Sequence, residues 1–113
     1  MDRYSGWADI STGPGAPRAL ERVRLLVAAE QARCAGVGLT GAGGRWHVWV
    51  EGTTVGQRTS VLPFFKSLGS AAPGSFGVLE IERVDPGGTR AERWVMVRGS
   101  VSRSEDSWDR IST

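Results

Sequence analysis

The groups able to do chemistry in this 113-residue chain are few: one histidine (His47), one thiol (Cys34), and carboxylates that alternate with apolar residues. A structural zinc site takes four ligands, mostly cysteine and histidine, and one of each cannot supply it. A cysteine–histidine nucleophile needs the two side chains within hydrogen-bond reach. Helical spacing turns Cys34 toward the core, where it reads as a small buried residue. Gly41-Ala42-Gly43-Gly44 lacks the lysine of a phosphate-binding loop and precedes a strand pattern rather than a helix, so it reads as a hairpin connection. Glu80 and Glu82 flank Ile81 in the alternation of a solvated strand face. The residue types therefore imply no catalytic constellation, no metal and no cofactor, and a chain that is not an enzyme.

The bulk properties agree with a binding role. Hydrophobic residues make up 40% and charged residues 23% of the chain, the balance of one ordinary globular domain spanning residues 1–113. Net charge is +2 and the isoelectric point is near 9.3. The charges alternate in sign and form no block, so no nucleic-acid partner is expected from charge alone. A single cysteine excludes an internal disulfide and favours a reducing compartment. No apolar signal core follows Met1, and the longest aliphatic run, from Leu25 to Ala29, is too short to span a bilayer. The expectation is a soluble, cytoplasmic protein with no membrane partner.

Hydrophobic period gives the elements. Tyr4 to Ile10 reads as a first strand and Ser11 to Pro17 as a turn. From Arg18 the pattern is helical: Leu20, Val23, Leu26, Val27 and Cys34 share an arc that also contains Glu30, with Leu25 opposite and Gly36 as the stop. Val37 to Leu39 is a weak strand. Arg45 to Glu51 is a strand with Trp46, Val48 and Val50 on one side. A second helix starts at a Thr59 or Ser60 cap, tolerates Pro63 in its first turn, and ends at Gly69, with Leu62, Phe65 and Leu68 inward. Pro73-Gly74 releases a strand with Leu79 and Ile81 on one side. A Pro-Gly-Gly turn between Asp85 and Gly88 leads to a last strand, Arg93 to Val101, whose Val95, Val97 and Val101 point inward.

The order strand, helix, strand, strand, helix, strand, strand predicts an α+β two-layer sandwich. It has a mostly antiparallel sheet of about five strands and both helices on one face. By parity the uncovered face carries Trp7, Asp9, Arg45, His47, Trp49, Glu51, Glu80, Glu82, Trp94, Met96 and Arg98. Aromatic residues mixed with charge suit a recognition surface. The residues expected to contact a partner are His47, Trp49, Gln57, Arg58, Glu80, Trp94, Arg98 and Trp108. Trp108, in a polar tail, either folds back over the open face or reaches the partner. A second copy of the chain covering that face, as a homodimer, is the other arrangement left open. A sheet with exposed aromatics could also stack RNA bases, although Glu80 and Glu82 would repel phosphate.

Several stretches, in this order, resemble the immunity protein 7 family of bacterial polymorphic toxin systems. They are Tyr4, Gly6-Trp7 and Ile10; an aromatic strand ending Glu51-Gly52; Gln57-Arg58 before the second helix; Pro73-Gly74-Ser75-Phe76-Gly77-Val78-Leu79; and Val97-Arg98-Gly99 with Asp106. The resemblance implies an α+β fold and a small cytoplasmic inhibitor. Such an inhibitor protects the producing cell by binding the cognate toxin domain encoded beside it. The chain departs from the family pattern in being weakly basic and in carrying Gly56-Gln57-Arg58.

Overall fold

The computed structural model describes residues 2–11, 16–33, 36–42, 45–54 and 61–104. Its elements are β1 (Asp2–Ile10), α1 (Ala16–Gln31), β2 (Val37–Ala42), β3 (Arg45–Thr54), α2 (Val61–Ala71), β4 (Phe76–Asp85), β5 (Gly88–Val97) and β6 (Ser100–Ser104). The strands form one antiparallel sheet in the order β2-β3-β1-β4-β5-β6. The expected two-layer α+β architecture is present, with six strands where about five were expected.

β1 lies at the centre and alternates strictly. Tyr4, Ala8 and Ile10 are buried, while Arg3, Ser5, Trp7 and Asp9 are exposed. Its neighbours follow suit, with Val48 and Val50 of β3 and Leu79 and Ile81 of β4 joining the same buried layer. Over this layer lie Val23 and Val27 of α1 and Val61, Phe64, Phe65 and Leu68 of α2. Leu25 faces solvent, and Glu30 is buried within the helical arc, both where the spacing put them. Trp46 also lies on the helix side, with the Arg24 guanidinium 5.3 Å above its ring. The Cys34 position and the Thr59 or Ser60 cap lie outside the described residues.

The structure corrects the sequence reading at three places. First, the last strand is two strands. Arg98 and Gly99 have φ of 50° and 79°, and this pair of left-handed residues turns the chain so that Val97 faces Ser100 across a new hairpin. Second, β5 is inverted. Leu79 pairs with Trp94 and Gly77 with Met96, so Trp94 and Met96 lie on the helix-covered side and Val95 and Val97 on the bare side. Both faces of β5 are apolar, so alternation alone leaves the choice to the turn. The connection is the two residues Pro86-Gly87, since Asp85 pairs with Gly88. One more residue in that loop would flip every side chain. Third, α2 runs through Gly69 to Ala71. Likewise α1 ends at Gln31, well before Gly36, whose carbonyl instead accepts the Glu51 N–H at 2.7 Å.

The α2–β4 connection binds three parts of the fold together. Ser75 is fully buried. Its Oγ accepts the Ser11 N–H at 3.0 Å, and its carbonyl accepts the Gly99 N–H at 2.9 Å. The end of β1 and the β5–β6 turn are thereby tied to the loop that precedes β4.

Because β5 is inverted, Glu92 points to the helix-covered side, opposite Ile81, where it is half-buried. Arg83 Nε donates to Glu92 Oε1 at 2.9 Å and Arg83 Nη1 to Asp2 Oδ2 at 3.1 Å. The Trp94 indole N–H donates to Glu92 Oε2 at 3.3 Å. The hydrogen bond from Arg83 holds the Glu92 carboxyl below its ordinary value of 4.5, helped by Trp94 and opposed by partial burial. Folding thus favours the ionised form. The resulting stabilisation is complete above about pH 4.5 and is lost as pH falls through the lower, folded-state value. Glu92→Gln should therefore be less stable than wild type in urea melts at pH 7, and the gap should narrow as pH falls below the ordinary carboxyl value of 4.5.

Candidate docking surface

The sheet face opposite the helices is bare among the described residues. Its side chains line up in rows that cross the strands. One row runs Trp49 (β3), Trp7 (β1), Val78 (β4) and Val95 (β5), each the direct cross-strand partner of the next. These four make an apolar belt across the middle of the sheet, about 15 Å long at the usual strand spacing. Trp7 and Trp49 are 42% and 40% exposed, which is unusual for side chains of that size. Phe76 and Val97, at the same end of β4 and β5, are also exposed and widen the belt.

Local sequence explains why the indoles stand there. Trp49 lies across the neighbouring strand at Gly38, where an added Cβ would sit 2.4 Å from the indole. A glycine on the edge strand leaves the shelf that the ring occupies. Trp7 stacks near His47, with centroids 6.2 Å apart and planes inclined by 16°. His47 Nδ1 lies 2.8 Å from Asp9 Oδ1, so the ring is anchored on the sheet beside the belt. Asp9, His47 and Arg45 also border a concavity of about 540 Å³ that reaches Trp46 and Phe76.

On the other flank of the belt the row is charged: Glu51, Ser5, Glu80 and Arg93 are successive partners. Beyond it come Thr53, Arg3, Glu82 and Ala91 in the same fashion. Arg93 Nε is 3.8 Å from Glu80, and Arg3 Nη1 is 4.0 Å from Glu82. These are loose surface pairs worth little to stability. An apolar centre with a charged rim is the anatomy of a contact surface. Among the described residues no group of three or more His, Cys, Asp or Glu could hold a metal ion, and no helix is long and apolar enough to cross a membrane.

Of the residues expected to make contact, the structure brings His47, Trp49 and Glu80 together on the bare face. Trp94 sits on the opposite side, half-buried, with Lys66 Nζ 5.3 Å from its ring. Met96 is buried there as well. Arg98 is an exposed turn residue. Gln57, Arg58 and Trp108 lie outside the described residues. Trp7 was placed on this face by parity but not among the contacts. Phe76, Val78, Val95 and Val97 were missed altogether. The signal for Trp7 was its alternation with Ala8 and Ile10; for Val95 and Val97 it was the two-residue Pro86-Gly87 loop.

These features define a two-layer α+β domain with one sheet face uncovered among the described residues, aromatic at its centre and charged at its rim. Its family follows from comparison with known proteins: the chain belongs to the immunity protein 7 family, whose model matches residues 1–109. The family is one of immunity proteins of toxin systems. No curated protein and no solved structure matches the chain.

Proposed function

We propose that this chain neutralises the toxin domain encoded beside it by binding it as a protein inhibitor, in the cytoplasm of the producing cell, through the bare face of the sheet. The belt of Trp49, Trp7, Val78 and Val95 carries this reading. A monomer gains nothing by holding two indoles about 40% exposed on the centre of a sheet, whereas partly exposed tryptophans are the residues that most often anchor an interface. Glu51, Glu80 and Glu82 beside the belt disfavour a phosphate backbone, so a protein partner is supported over RNA.

The test is co-expression. Cells expressing the toxin domain should grow only when the chain is present, and the two purified proteins should form a stoichiometric complex by calorimetry. The reading fails if the chain neither rescues growth nor binds.

A further inference from the structure

Next to the indole belt the bare face sinks into a trough. One concavity of about 530 Å³ is lined by Ser5, Trp7, Trp49, Glu51, Val78 and Glu80, among others. A second, of about 370 Å³, shares Ser5, Glu51 and Glu80 and continues toward Arg3 and Glu82. The small side chain of Ser5, at the centre of the central strand, forms the floor. Its two cross-strand partners on this face are Glu51 and Glu80, so the carboxylates stand on either side, two strand spacings or about 10 Å apart. Arg93 approaches Glu80 only from the β5 side, at 3.8 Å, which leaves the side toward Ser5 open. Three carboxylates, Glu51, Glu80 and Glu82, against two guanidiniums, Arg3 and Arg93, leave the trough net negative in a chain whose overall charge is +2.

Resting on the docking reading above, we infer that the partner seats an arginine side chain in this trough. The occupant must cross an apolar lip and end in positive charge. Arginine does both: its stem packs on apolar surface, and its flat head stacks on an indole face. That head also presents donors on two edges, so one guanidinium can reach Glu51 on one side and Glu80 on the other. Lysine, a compact and strongly hydrated point charge, cannot bridge both walls in this way. The trough thus sets which toxin surface is recognised, while the belt supplies the apolar contact.

Two measurements test it, both on the full chain. In calorimetry with the neighbouring toxin domain, Glu51→Gln and Glu80→Gln combined should weaken binding at least tenfold and flatten its salt dependence. Both side chains are exposed, so the melting temperature should hold. In NMR, N-acetyl-arginine amide should shift the indole N–H signals of Trp7 and Trp49 saturably, and the neutral citrulline analogue should not. Wild-type affinity in the double variant, or equal shifts from citrulline, overturns the arginine seat. If Trp49→Ala loses binding while the double glutamine variant keeps it, the docking face stands and only the seat falls. If Trp49→Ala also binds as wild type, both readings fall.

Discussion

Alanine at Trp49 should weaken association with the toxin domain by about 2 kcal/mol or more, roughly thirtyfold, and the combined Trp7→Ala and Trp49→Ala variant should fail to protect cells. The two residues are direct partners on β1 and β3, so the losses should not simply add. The effect on the fold should be modest by comparison. Both rings are exposed by about two-fifths, and Trp49 lies over Gly38 of the edge strand, where no side chain depends on it. A small drop in melting temperature with a large drop in affinity identifies a contact residue. Equal losses in both would make Trp49 a structural one.

Gly99→Val should cost about 3 kcal/mol or more of stability, seen in urea melts as a lower midpoint at unchanged slope. Two effects combine. The residue holds φ of 79°, a conformation strained for a branched side chain. A Cβ there would also lie 2.5 Å from the Gly69 carbonyl oxygen and 2.8 Å from Pro73 Cα. Both obstacles are backbone, so neither can rotate away. Arg98→Gly is the control: with φ of 50° its replacement removes strain and should be neutral or slightly stabilising. Gly69, Pro73, Ser75 and Gly99 meet at this one point, where α2, the β4 entry and the β5–β6 turn converge. Pro73, Ser75 and Gly99, which carry part of the family resemblance, are therefore explained by how the fold closes, whereas Phe76 between them is exposed on the docking face.

How much of this was legible depended on whether each strand's two faces differ in polarity. In β1, Ala8 and Ile10 alternate with Trp7 and Asp9. In β3, Val48 and Val50 alternate with His47 and Glu51. Those contrasts, with that of Leu79 and Ile81 against Glu80 and Glu82 in β4, assigned the inner and outer faces correctly, and with them the faces of His47, Trp49 and Glu80. In β5, tryptophan and methionine compete with valines, and the valines' strand preference pointed the wrong way. Burial there follows size and hairpin register instead, and a polar group, Glu92, goes inward because Arg83 and Trp94 satisfy it. The break at Arg98 was hidden because a non-glycine residue at positive φ leaves little trace in composition. Gly69 misled for the opposite reason. It ended the helix on paper, but in the structure it stays helical and lets the Gly99 backbone approach.

The most direct test of the docking face uses the indoles themselves, because two of the described tryptophans point to each side of the sheet. The Nε1–H resonances of a ¹⁵N-labelled chain, assigned by single substitutions, report on each ring separately as the toxin domain is added. Large shifts or broadening at Trp7 and Trp49, with Trp46 and Trp94 little changed, is the predicted result. Perturbation of Trp46 and Trp94 with Trp7 and Trp49 unmoved would place the partner on the helices and contradict the account.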